Sequence, residues 1–82
     1  MSITNSNQLY STSDLTLAVT LSLFHPIESI DKTNPRKAIF FFLKTPELEK
    51  FIISYLRDEI KIAPQTFFNQ LRTIKTRLYN IT

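Results

Sequence analysis

The hydrophobic positions change their period along the chain, and that change predicts the order of the elements. From Leu15 to Leu23 every second residue is a larger apolar one, which is typical of a strand. The same segment also has a helix-like start, because Ser11 is followed three residues later by Asp14, the spacing of an N-terminal capping pattern. The residues alone leave strand and helix nearly balanced, and the capping pattern favours the helix.

The middle of the chain predicts a β-hairpin. His25-Pro26 ends the first segment, because a residue before proline is pushed out of helical space. Apolar residues in 27–30 are followed by the polar turn Lys32–Arg36, which is centred on Asn34-Pro35. The run Ala38–Leu43 is dense in β-formers and is predicted to be the second strand.

The predicted strand at Ala38–Leu43 is apolar on both faces, so both are expected to be covered. One face carries Ala38, Phe40 and Phe42, and the other carries Ile39, Phe41 and Leu43. If the helices all lie on one side, the second face is left for a protein partner or a second copy of the chain. The alternative is that the N-terminal helix closes it. Ile39, Phe41 and Leu43 are therefore the predicted partner interface.

The second half predicts two helices. Thr45-Pro46 is typical of a helix start, and it precedes an amphipathic set made of Leu48, Phe51, Ile52, Tyr55 and Leu56. Pro64 opens the final helix, whose predicted core-facing residues are Phe67, Phe68, Leu71, Ile74 and Leu78. Between these helices the segment 60–62 alternates and is predicted to be, at most, a short third strand.

These elements predict an α+β fold in the order α-β-β-α-(β)-α, a small hairpin or sheet packed by three helices. The chain has 82 residues, which is enough for one domain. Residues 1–9 are polar for the most part and are predicted to be a frayed tail, with a single domain over 10–82.

Several motifs together resemble a known family. They are Tyr10-Ser-Thr-Ser-Asp-Leu15, Leu17-Ala18, Phe40-x-Phe42, Thr45-Pro-Glu-Leu-Glu49, Tyr55, Pro64-x-x-Phe67, Leu71-Arg72 and Arg77-Leu-Tyr79. They resemble an uncharacterised family of small bacterial and phage domains with Ser-Asp-Leu and Thr-Pro-Glu-Leu helix starts, a hairpin and a basic C-terminal helix. The resemblance spans Tyr10 to Tyr79 and implies a helical first segment. It implies no catalytic or binding residue. Where family members usually carry a glycine after the first helix, this chain has Phe24-His25-Pro26.

Composition removes most catalytic chemistry. The chain contains no cysteine and no glycine, which excludes thiolate chemistry and glycine-built phosphate loops. His25 is the one histidine, and it has only Glu28 and Asp31 nearby in sequence. We therefore predict a non-enzymatic protein with no catalytic residue, metal or cofactor. With no signal-peptide pattern and no apolar run of membrane-spanning length, a cytoplasmic protein without a membrane partner is expected.

Charge points to the C-terminal helix. The formal net charge is +3, and the segment 60–82 holds four basic residues and no acidic residue. This asymmetry favours an anionic partner there. On a helical wheel, Gln65, Asn69 and Arg72 lie opposite the apolar centre, with Lys75 beside them. We predict that Arg72 and Lys75 bind phosphate and that Gln65 and Asn69 contact bases. A solvated helix face and a homodimeric interaction module are the alternatives.

Overall fold

A small antiparallel sheet and three helices make up the structure, a computed structural model that describes residues 8–80. The elements are β1 (Leu9–Thr12), α1 (Leu15–Ser22), β2 (Ile27–Asp31), β3 (Ile39–Leu43), α2 (Pro46–Leu56) and α3 (Pro64–Tyr79). This confirms the α+β class, the hairpin and the three helices.

The sheet has the strand order β1-β3-β2, so β3 is the central strand. Phe42 lies opposite Tyr10 on one side and Ile27 on the other, and Phe40 lies opposite Ile30. Both neighbouring strands run antiparallel to β3, with a register shift between Ile27 and Ser29. The most hydrophobic segment of the chain therefore occupies the position that is hydrogen-bonded on both edges.

The third strand is not where the sequence placed it. Residues 60–62 form no strand and belong to the connection between α2 and α3, so the optional strand of the predicted order is absent there. Ile60 and Ile62 are half-buried and line a cleft, whereas Lys61 is exposed. Their alternation comes from packing of a connection against the helices, which produces the same period as a strand.

The third strand is β1, and because of it the first helix begins later in the chain than predicted. Ser11 was predicted to cap that helix, but it pairs with Phe41 in the sheet. The cap is Asp14, whose Oδ1 accepts a hydrogen bond from the Leu17 backbone N–H at 3.2 Å. The predicted tail boundary at residue 9 was also wrong, because Leu9 already lies in β1; the tail's residues 1–7 lie outside the described part of the chain.

Helix α1 is the centre of the fold, which explains its strand-like sequence. Five consecutive residues, 17–21, are buried, because α1 packs between α2 and α3 and above the sheet. A helix that is buried around most of its circumference needs no 3.6-residue apolar period. Its buried hydroxyl, on Thr20, donates to the Thr16 carbonyl oxygen at 2.8 Å and is satisfied.

Helix α2 begins as predicted and ends in an unusual residue. The Thr45 Oγ1 accepts a hydrogen bond from the Leu48 N–H at 3.0 Å, with Pro46 in the first turn. At its end the Asp58 N–H donates to Tyr55 and the Glu59 N–H to Ser54, the Schellman arrangement that usually takes glycine. Because the chain has no glycine, Asp58 adopts the left-handed backbone with φ 61°.

Two predicted core residues are exposed instead. Leu56, in the last turn of α2, is 74% exposed. On α3, Ile74 is buried and Phe68 is 55% exposed. Phe68 lies about 120° around the helix from Ile74, whereas Phe67 lies within about 20° of it, so only Phe67 packs against the core.

Candidate nucleic-acid interface

The outer face of α3 carries the polar residues that the sequence singled out. Gln65, Asn69 and Arg72 are all exposed. The Arg72 Nη1 donates to the Asn69 Oδ1 at 3.3 Å, and these two residues line a shallow depression of about 310 Å³ together with Thr73 and Thr76. Gln65 lies one helical turn before Asn69 and does not line the depression. The structure thus joins Asn69 to Arg72 and leaves Gln65 at the edge.

Arg72 and Lys75 also share a second hollow, of about 220 Å³, whose other lining residues are Phe68 and Leu71. Because Arg72 lines both hollows, the surface from Asn69 to Lys75 is continuous along the helix. The predicted phosphate-binding pair therefore lies on one connected part of α3.

The structure places two further basic residues, which the sequence analysis missed, beside the predicted site on α3. Lys32 and Arg36, from the β2–β3 loop, line a cleft of about 210 Å³ with Lys75 and Tyr79 of α3. The Lys32 Nζ also donates to the Leu78 carbonyl oxygen at 3.3 Å, which holds the loop against the C-terminal end of α3. We call Lys32, Arg36, Arg72 and Lys75 the basic face.

The β2–β3 loop is ordered by its own side chains. The Asp31 carboxylate accepts hydrogen bonds from the Thr33 backbone N–H at 2.8 Å and from the Thr33 hydroxyl at 2.6 Å. Both bonds lower the pKa of Asp31 below its ordinary value, and the bond from the Thr33 hydroxyl has the larger effect. The Asn34 Oδ1 accepts from the Arg36 N–H at 2.9 Å. Such local bonds fix the turn and so position Lys32 and Arg36.

The basic face has no acidic residue among the described residues that line its three hollows. Asp31 is the neighbour of Lys32 in sequence, but it pairs with Ile39 of β3 while Ile30 packs against the core. Because side chains alternate along a strand, Asp31 belongs to the face of the sheet away from the helices. Asp31 accordingly does not line any of the three hollows.

A larger cleft than these three hollows, of about 550 Å³, lies where α1, the end of α2 and the start of α3 meet. Its polar lining groups are Thr16, Thr20, Tyr55 and Asp58, and its apolar ones are Leu56, Ile60, Ile62 and Phe67. Burial, and secondarily the charge of Asp14, raises the pKa of Tyr55 above its ordinary value. The described residues that line this cleft include one carboxylate, on Asp58, and no histidine.

His25 packs against an aromatic residue. Its ring meets the Phe51 ring edge-on, with the centroids 6.1 Å apart, and Phe24 also contacts Phe51 at 4.9 Å. Within residues 8–80, no three side chains of the His, Asp or Glu types are grouped closely enough to hold a metal ion.

The predicted partner interface is the face of the sheet that the helices leave open. Phe40 and Phe42 are buried in the core, whereas Ile39, Phe41 and Leu43 are not among the residues that pack against it. Leu43 is 46% exposed. The three helices therefore lie on one side of the sheet, and α1 does not close the second face.

These features define a small α+β domain with a one-sided sheet and a basic helical face. The family model described as Domain of unknown function (DUF5659) matches residues 7–80, and the chain belongs to this family. No curated protein and no solved structure matches the chain. This match confirms the resemblance to an uncharacterised domain family that the sequence motifs indicated.

Across residues 8–80, no helix is both long enough and apolar enough to span a membrane.

Proposed function

We propose that this chain is a small, cytoplasmic, non-enzymatic protein that binds nucleic acid through its basic face. The observation that carries the proposal is the meeting of two separate elements: Arg72 and Lys75 from α3 share one surface with Lys32 and Arg36 from the β2–β3 loop. A positive surface without acidic lining residues attracts the phosphate backbone and releases its counterions.

The exposed polar side chains of α3 have distinct roles in this proposal. The Arg72 guanidinium binds a phosphate through paired N–H donors, and Lys75 acts as a point charge beside it. The hydrogen bond from Arg72 is accepted by the side-chain oxygen of Asn69. The side-chain N–H groups of Asn69 are then free to donate to the edge of a nucleobase. Gln65, one turn away, offers a second amide at the edge of the site.

The test is an electrophoretic shift assay on a labelled single strand and a labelled duplex at two salt concentrations. We expect Arg72→Ala/Lys75→Ala to weaken binding of both probes at low salt. The salt dependence should also fall, by about 0.7–0.9 in the slope of log K against log salt for each phosphate that is no longer neutralised. Circular dichroism should be unchanged, because both positions are exposed.

The matched control is Lys50→Ala/Arg57→Ala, which removes the same two side-chain types from α2 and its C-cap. This variant has the same net charge as the test variant and should bind nearly as well as the native chain. Equal weakening in both double variants would mean that binding depends on the overall charge and not on the basic face. The absence of a shift at low salt would contradict the proposal.

A second candidate is a homodimer formed through the open face of the sheet. The observation that favours it is the exposed position of Leu43 beside Ile39 and Phe41, all away from the core. Three strands of this length give a flat footprint of roughly 250 Å², against about 800 Å² per partner in a stable interface. A dimer through this face alone would therefore be weak, which places it second.

Light scattering across a wide range of protein concentration tests the dimer. We expect a mass that rises with concentration, and Phe41→Ser/Leu43→Ser should abolish the rise by removing apolar contact area. A native mass that stays monomeric at the highest concentration would contradict the dimer and leave nucleic-acid binding unaffected.

A further inference from the structure

Two exposed aromatic rings flank two of the three basic residues of α3 in a single row. Phe68, Arg72, Lys75 and Tyr79 are spaced by four, three and four residues. This spacing places all four side chains within a sector of about 60° and along about 16 Å of the helix. The order in the row is aromatic ring, basic residue, basic residue, aromatic ring.

The two rings are far more exposed than the aromatic rings of the core. Phe68 is 55% exposed and Tyr79 is 74% exposed, whereas Phe40 and Phe42 are fully buried. The Phe68 ring is supported by the half-buried Phe67, which meets it nearly edge-on with the centroids 5.8 Å apart. Single exposed aromatic residues are common on protein surfaces. Here both lie in the same hollows as the basic residues, which an isolated exposed ring does not explain.

A row of two basic residues between two aromatic rings suits one form of nucleic acid better than the other. In a duplex the faces of the bases are stacked on each other, so an exposed ring has no base face to contact. In a single strand the faces are free, and bases stack on aromatic side chains while cations hold the backbone. Arg36 beside Tyr79 supplies a further planar group on which a base can stack.

We propose that the ligand of the basic face is a single-stranded nucleic acid, whose bases stack on Phe68 and Tyr79 while Arg72 and Lys75 bind the phosphates between them. This inference rests on the proposed function, since it names the form of nucleic acid that the same face binds. Stacking tolerates any base, so little sequence preference is expected.

The experiment measures the fluorescence anisotropy of three labelled probes: a thymidine single strand, a duplex of mixed sequence, and an abasic strand with the same number of phosphates. The native chain should bind the thymidine strand more tightly than the other two. Phe68→Leu/Tyr79→Leu should weaken thymidine-strand binding by about 10-fold for each ring removed. It should not change the salt slope, because the cations that neutralise the phosphates are all retained. Leucine also retains the helix propensity.

The outcomes separate this inference from the proposed function. Selective weakening on the thymidine strand, with the abasic strand and the duplex bound as before, supports stacking. Equal binding of all three probes by the native chain, or no effect of the ring variant, overturns the inference and leaves the basic face as a phosphate site. Failure of every probe to bind at low salt overturns the proposed function and, with it, this inference.

Discussion

Phe42→Ala should remove about 3–5 kcal/mol from the free energy of unfolding, the usual cost of truncating a buried phenylalanine. Phe42 is fully buried on the central strand, between Tyr10 of β1 and Ile27 of β2. A domain of this size has a total stability on the order of 5 kcal/mol, so the variant should be largely unfolded. Urea unfolding followed by circular dichroism measures the change.

Phe41→Ala is the matched control, because it makes the same substitution one residue away on the opposite face. Phe41 is only half-buried and lies outside the core, so we expect a decrease of about 1 kcal/mol, near the strand-propensity difference. The pair therefore tests whether the helices cover only one face. Equal large decreases in the two variants would mean that both faces are packed.

Local sequence patterns predicted those elements that are determined by residues close together in the sequence. The hairpin followed from a dense β-forming run after a polar turn, and the start of α2 followed from Thr45 and Pro46, whose effects extend over one turn. The first strand and helix were different. Ser11 resembles a cap in sequence, but its pairing with Phe41 depends on a residue thirty positions away, which no local pattern contains.

The candidate site was predicted only in part, for the same reason. Helical spacing identified the outer face of α3, including Arg72 and Lys75, because the period of a helix is known in advance. Lys32 and Arg36 were missed because their proximity to Lys75 arises from tertiary packing. The exposure of Phe68 was missed because a helix wheel does not say how wide the covered sector is.

Replacing all four residues of the basic face by glutamine should have the largest effect on binding. A single strand held at four phosphates has a salt slope of about −2.8, so a rise from about 50 mM to about 200 mM salt weakens binding about 50-fold. The quadruple variant should show almost none of that slope. At about 50 mM salt its affinity should fall on the order of 10³-fold, because the counterion-release contribution is removed.

A second quadruple variant, with Lys44, Lys50, Arg57 and Lys61 changed to glutamine, removes the same number of charges from outside the basic face. The Lys44 side chain forms a surface ion pair with Glu49 at 4.0 Å, and such a pair contributes little to stability. Titration of the thymidine strand at several salt concentrations should give this control a slope close to that of the native chain. Because the two variants have the same net charge, any difference in slope must come from where the charges lie. Equal slopes would show that binding depends on net charge alone and would exclude the basic face as a site.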